Sequence, residues 1–202
     1  MKVTGLEELS KSRSKVFIEQ EFAFVLYKGE LRSYHIHEGE ELAQADYDEI
    51  MNTILPRRAK LRAMNLLKSR EYTEKQLHDK LKDGLYPEDI IQQALEYVAG
   101  YHYTDDLRYA ETYISDHEET RSRRRIEQDL LEKGIDRVTL EKAWQQWEQK
   151  GGVQDEERMV RQLLDKRHYD PETADLKERQ KNYGFLMRKG FSPDVIRRVI
   201  GW

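Results

Sequence analysis

Hydrophobic positions change period once along this chain. In the first fifty residues the apolar side chains come in short β-branched or aromatic runs: Val16-Phe17-Ile18, then Phe22 to Tyr27, then Leu31 to Ile36. Glu19-Gln20-Glu21 and Lys28-Gly29-Glu30 separate them, so the pattern predicts a small antiparallel meander. In the middle run Phe22, Phe24 and Leu26 share one face and Ala23, Val25 and Tyr27 the other. Both faces are apolar, so the sheet must pack on something, and a helix expected over 46–55 is the nearest partner.

From Pro56 onward the period is helical, and one grammar recurs. An apolar residue is followed four positions later by glycine, six positions after that by an aliphatic, and then by an apolar pair. Leu130, Gly134, Leu140 and Ala143-Trp144 obey it, as do Leu186, Gly190, Ile196 and Val199-Ile200. Leu81, Gly84, Ile90 and Ala94-Leu95 obey it with one residue fewer before the glycine. Each stretch has an apolar helix upstream, so the repeating unit is helix, helix, glycine turn, helix. The glycines are expected to end helices in the left-handed conformation, and Pro87 and Pro193 to open the next ones. The expected fold is mainly α: three tandem three-helix repeats in an elongated array, over 56–102, 103–150 and 151–202, behind a β-meander extension plus helix over 1–55. Units this small should share parts of their cores with neighbours, and Lys150-Gly151-Gly152 reads as a hinge between the second and third.

Composition sharpens the picture in two ways. Charged residues make up 37% of the 202 and mean hydropathy is −0.93, which demands a large wetted surface and thin cores. The formal net charge of −4 arises in the N-terminal segment, where residues 1–52 carry six basic and eleven acidic side chains. The remainder is close to neutral, so an acidic overall balance hides basic faces. No stretch has the apolar length of a membrane span and the N-terminus lacks a secretory core, so a cytoplasmic protein is expected. The absence of cysteine rules out disulfides, thiolate metal sites and cysteine nucleophiles.

Chemistry-bearing motifs are scarce. No phosphate-cradling glycine loop, G-x-S-x-G elbow or H-E-x-x-H helix occurs, so neither an enzyme nor a cofactor is expected. His35 and His37 would lie on one strand face, but no third ligand accompanies them and a metal site is not expected. Asp105-Asp106 fit helix capping better than ion binding. Trp144 and Trp147 fit a core or an inter-repeat seam.

The candidate binding residues are cations. Arg57, Arg58, Lys60 and Arg62 head a run of six basic residues over 57–70 with no acid among them. Arg121, Arg123, Arg124 and Arg125 open the middle helix of the second repeat, where positive charge opposes the helix dipole. Local helix stability does not account for them; carboxylates or phosphates of a partner could, since guanidinium forks grip both. Arg188, Lys189, Arg197 and Arg198 form the third cluster. For each cluster a solvated helix face is the plain alternative.

These residues also carry a family resemblance. Tyr103-Thr104-Asp105-Asp106-Leu107-Arg108-Tyr109-Ala110, followed by Arg124-Arg125-Ile126-Glu127-Gln128-Asp129-Leu130-Leu131-Glu132-Lys133-Gly134-Ile135, resembles the signature of the RecX family of regulatory proteins. Residues 63–70 and 77–81 look like the family's first repeat, and the third is weakest, with an irregular insert over 168–176. The resemblance implies a non-enzymatic cytoplasmic regulator that binds the RecA recombinase and its DNA filament and inhibits strand exchange, ATP hydrolysis and co-protease activity, in DNA repair, recombination and the SOS response; a monomer is expected.

Two other readings stay open: a helix-turn-helix DNA-binding module with no recombinase partner, and an interaction scaffold acting through the β extension. Tandem reading of DNA by each third helix is disfavoured, because residues 87–101 hold no Lys or Arg and carry Glu88, Asp89 and Glu96. Weak, salt-sensitive backbone contact with DNA is compatible with the chain.

Overall fold

The computed structural model describes residues 1–202, which divide into two compact units, 1–105 and 106–202. The fold is mainly helical, with three tandem three-helix domains behind a three-stranded antiparallel sheet.

In the first unit β1 (Val3–Ser10), β2 (Arg13–Ile18) and β3 (Glu21–Tyr27) pair in sequence order. The β2–β3 turn is two residues long, with Glu19 and Gln20 both at positive φ (51° and 72°), the geometry that matches strand twist. The edge of β1 holds that turn: the Lys2 N–H donates to the Glu19 carboxylate and the Gln20 N–H to Thr4 Oγ1, each at 2.8 Å.

The strand expected over 31–36 does not form. The chain instead enters helix α1 (Lys28–Ser33), because the Glu30 carboxylate turns back to accept from the Tyr27 N–H at 2.7 Å, a capping box that nucleates a helical turn. His35 then sits at φ 49° in a turn, so His35 and His37 share no strand face. The missing strand is supplied from the other side by residues 3–10, whose glutamates and glycine conceal the alternation.

The helices expected over 46–55 and from Pro56 are one continuous run. It comprises α2 (Gln44–Glu49), a π-helical segment (Ile50–Ile54) and α3 (Leu55–Leu67). Pro56 has no N–H and its ring crowds the preceding turn; one wide turn upstream absorbs both without breaking the helix. With α4 (Glu74–Lys82) and α5 (Glu88–Gly100) this completes the first three-helix domain. Phe24 and Leu26 from the sheet, Ile50 and Leu55 from the long helix, and Leu77, Leu81, Ile90 and Ala94 belong to one core. The sheet therefore does pack on the helix that follows it, with the Phe24 and Tyr47 rings 6.0 Å apart.

The second unit holds α6 (Asp106–His117), α7 (Arg123–Glu132) and α8 (Arg137–Gln149), then α9 (Glu156–Asp165), α10 (Leu176–Arg188) and α11 (Pro193–Ile200). Its two domains keep separate cores, one around Ile126, Leu130 and Trp144, the other around Val160, Leu186 and Ile196. The expected sharing of cores between these neighbours does not occur; a polar seam joins them. The Gly152 N–H donates to Trp147 O at 3.1 Å, and a Cβ on Gly152 would lie 2.3 Å from the Trp147 ring.

One rule ends most of these helices. The left-handed residue falls four positions after a residue whose carbonyl accepts from the N–H just beyond it, the Schellman arrangement. Leu130, Gly134 (φ 95°) and Ile135 obey it, and so do Leu186, Gly190 (φ 88°) and Phe191. Leu81, Leu85 (φ 62°) and Tyr86 obey it as well, as do Leu164, His168 (φ 54°) and Tyr169. The register is counted from the core residue and not from the glycine. Gly84, one residue early, is therefore not the left-handed position; its constraint is space, since a Cβ would lie 3.0 Å from the Tyr86 ring.

Candidate functional site

Most of the candidate cations have internal work. In the first unit Arg58 is half-buried against the sheet: it pairs with Glu30, donates to Val25 O at 3.0 Å and stacks 4.7 Å from the Tyr27 ring centroid. Lys60 lies 5.2 Å over the Tyr97 ring. Arg57 and Arg62 are exposed with no carboxylate in ion-pair range, on either side of Leu61, which is 52% exposed. That face of α3 presents free guanidiniums around an uncovered leucine.

The arginine run at the start of α7 divides in the same way. Arg121 and Arg125 converge on Asp129, whose side chain is only 7% exposed. Arg121 Nη1 lies 2.5 Å from Oδ2, Arg125 Nη2 2.9 Å from Oδ1, and the Tyr113 hydroxyl donates to Oδ2 at 3.3 Å. Burial, then the Asp129 charge, push the Tyr113 phenol above its ordinary pKa, which keeps it a donor. Arg123 bridges Glu127 (3.1 Å) and Glu148 (2.8 Å) and covers the Trp144 ring at 4.3 Å. Only Arg124 of the four has no internal partner. The cost of placing cations at a helix N-terminus is thus met largely inside the domain, by one buried aspartate that the spacing Arg121, Arg125, Asp129 could have revealed.

The polar seam brings distant cations together. Ser122 is buried and caps α7, its Oγ accepting from the Arg125 N–H at 3.3 Å while donating to Lys189 O at 2.9 Å at the end of α10. Gly190 must be glycine on two counts, its positive φ and a would-be Cβ 2.6 Å from Ser122 Oγ. Gln154 closes the seam by donating to Glu118 O and Arg121 O at 3.0 and 2.7 Å.

Two clefts flank this junction. One, of about 710 Å³, is lined by Arg121, Arg125, Arg188 and Lys189 with Phe185, and no carboxylate lines it. The other, of about 1000 Å³, takes Arg123, Arg124 and Arg198 together with Glu127, Glu148 and Glu157. In it Arg198 pairs with Glu157 at 3.0 Å. Arg188 and Lys189 are exposed without ion pairs, as is Arg197. Four residues separated by up to 68 positions in sequence thus meet in one acid-free cleft. Arg167 is an addition the sequence pattern did not single out. It stacks 4.3 Å from the Phe185 ring centroid and donates to Asn182 Oδ1 at 2.8 Å, a neutral partner that is 3% exposed.

The tryptophans are core residues: Trp144 and Trp147 are buried and meet edge to face at 5.4 Å. Trp202 is half-exposed and packs on Tyr183. No helix is long and apolar enough to cross a membrane.

Comparison with known proteins agrees with this architecture. Residues 59–97, 105–143 and 154–200 match the first, second and third three-helix domains of RecX. The chain is 30% identical over 202 residues to the regulatory protein RecX of Caldanaerobacter subterraneus, covering 99% of this chain and 98% of that one. It is 24% identical to the RecX of Clostridioides difficile, over 98% of this chain and 93% of its relative. A crystal structure of a regulatory protein RecX superposes over 100% of this chain and 99% of its own, with a TM-score of 0.65 at 24% identity. The structure of RecX from Lactobacillus salivarius covers 73% of this chain and 96% of its own, with a TM-score of 0.59 at 25% identity. With all three domains matched in order and full-length similarity to a RecX protein, this chain belongs to the RecX family of non-enzymatic regulatory proteins.

Proposed function

We propose that this protein regulates the RecA recombinase in the bacterial cytoplasm, acting as a monomer that binds the recombinase and its DNA filament. It inhibits strand exchange, ATP hydrolysis and co-protease activity, and so acts in DNA repair, recombination and the SOS response. The observation that carries this reading is the full-length similarity to a regulatory protein RecX with all three domains in order.

The contact surface in this reading is the set of exposed cations without ion pairs, Arg57 and Arg62 on α3, Arg124 on α7, and Arg188, Lys189 and Arg197 in the third domain. Lys60 and Arg198 stand beside them, while Arg58, Arg121, Arg123 and Arg125 hold the frame. Contacts from three linked domains add through effective concentration, so modest individual attractions suffice for tight binding to a repeating polymer. Bridging neighbouring recombinase protomers restrains their relative motion or closes access to DNA, and neither requires a catalytic residue.

Inhibition of recombinase ATP hydrolysis on single-stranded DNA tests the reading. Native protein added in increasing amounts should depress hydrolysis to saturation; hydrolysis unaffected at every ratio would overturn it. The helix-turn-helix alternative predicts equal affinity for bare and recombinase-coated DNA, whereas the filament reading predicts tighter binding to coated DNA in fluorescence anisotropy. The scaffold alternative is weakened by the shared core: removing residues 1–52 would strip Phe24, Leu26 and Ile50 from the first domain.

A further inference from the structure

We infer that the acid-free cleft between the second and third domains is a binding site for the phosphodiester backbone of single-stranded DNA, with a stacking place for one base. This deepens the filament reading and rests on it for its biological setting.

Charge is the first argument. Arg121, Arg125, Arg188 and Lys189 line the cleft, and Asp129 is the one carboxylate that pairs with any of them. Arg188 and Lys189 have no ion pair, and Lys189 reaches only the Phe185 ring, at 5.8 Å. Arg167 joins the same ring while held by a neutral amide. Four cations thus line one concavity against a single negative charge, with Arg167 against its Phe185 wall, an arrangement that repels itself until an anion enters.

The second argument is the way the cations are positioned. Ser122 is fully buried and ties the start of α7 to the end of α10, which fixes Arg121 and Arg125 opposite Arg188 and Lys189. Asn182 is buried, donates to Glu178 O at 3.1 Å, and with its oxygen aims the Arg167 guanidinium at Phe185. A carboxylate at 182 would hold the guanidinium more tightly and neutralise it. The asparagine orients it and leaves its charge available.

The third argument separates a nucleic acid from an acidic peptide. The Arg167 guanidinium lies over the Phe185 ring, 4.3 Å from its centroid, and guanidinium planes and aromatic rings are the surfaces on which unpaired bases stack. A peptide carboxylate would use the charges but has no use for the stack. A single strand uses both, and its flexible backbone can enter a concave cleft that a duplex cannot.

The test is fluorescence anisotropy with a labelled oligothymidylate, an abasic strand of equal length and poly-glutamate, without recombinase. Arg188→Gln with Lys189→Gln removes two contacts outside any ion pair, so helical CD and thermal unfolding should match the native protein. The double variant should bind oligothymidylate about tenfold more weakly at 0.1 M salt, with a salt slope shallower by about 1.4. Arg167→Lys keeps the charge and loses the plane; it should weaken oligothymidylate about fivefold and leave the abasic strand unchanged.

Oligonucleotide binding identical in native protein and double variant would overturn the site, as would poly-glutamate binding as tightly as the oligonucleotide and lost in the same variant. Recombinase ATP hydrolysis measured in parallel separates the two ideas. Inhibition without cleft-dependent oligonucleotide binding leaves the regulatory reading and removes this site. Cleft-dependent binding without inhibition does the reverse.

Discussion

The two basic runs at 57–62 and 121–125 look alike as sequence, but the folded units use them differently. In the first unit the sheet and the first domain share one core, and the run lies along its border; Arg58 fastens sheet to helix and its neighbours Arg57 and Arg62 remain in water. In the second unit the domains keep separate cores, so their junction is made of hydrogen bonds and ion pairs. An apolar junction leaves cations on a convex helix face, whereas a polar junction encloses them in a cleft. The lesson is that a basic cluster is best judged after its internal carboxylates have been counted.

The polar junction should be sensitive to single substitutions. Gly190→Ala combines a strained φ with a Cβ 2.6 Å from Ser122 Oγ and is expected to destabilise the second unit by about 3 kcal/mol, read as a shifted denaturant midpoint. A loss below about 1 kcal/mol would mean that the seam yields easily. Asp129→Ala leaves two guanidiniums without their shared partner. Because both are substantially wetted, about 2 kcal/mol is expected and not the larger loss of a fully buried pair.

The first unit offers the opposite substitution. Leu85 occupies the position that Gly134 and Gly190 fill elsewhere, so Leu85→Gly should relieve left-handed strain and stabilise by about 1 kcal/mol. Destabilisation there would show that the Leu85 side chain packs more than its partial exposure implies.

A smaller effect follows from His78, which joins α4 to α5 through Glu88 at 2.6 Å. That hydrogen bond raises the His78 pKa above 6.5, against an opposing effect of burial. A raised folded-state value means the contribution is fully present below pH 6.5 and is lost as pH rises through the folded value. Urea midpoints of the native chain should therefore fall slightly across that window, and His78→Gln should flatten the fall.

Much of this was legible beforehand because the three repeats count their residues in the same way. The spacing from Leu130 to Gly134 to Leu140 marks the helix-turn-helix connections, and the aromatic run 22–27 does form a strand, but at the edge of the sheet and not in its middle, because residues 3–10 add on the far side of β2. The errors have physical reasons. Residues 31–36 have strand-like composition, yet Glu30 caps a helix two residues earlier. Glycine at 84 marks the turn one residue early, because the turn register depends on the carbonyl of Leu81, which places the left-handed residue at Leu85. At the candidate site the clusters are visible in the sequence, and the four-residue spacing of Arg121, Arg125 and Asp129 carries their shared pairing, but nothing local tells that Lys189 comes to lie beside Ser122.

In the proposed reading, the cations left unpaired by the fold are what bind a recombinase filament. Its most direct measurement is recombinase ATP hydrolysis on single-stranded DNA with the variant Arg57→Gln, Arg62→Gln, Arg124→Gln, Arg188→Gln, Lys189→Gln, Arg197→Gln, which alters only exposed residues outside the internal ion pairs. Native-like unfolding, within about 0.5 kcal/mol per site, is expected, with inhibition largely lost. Inhibition as strong as that of the native protein would contradict the reading.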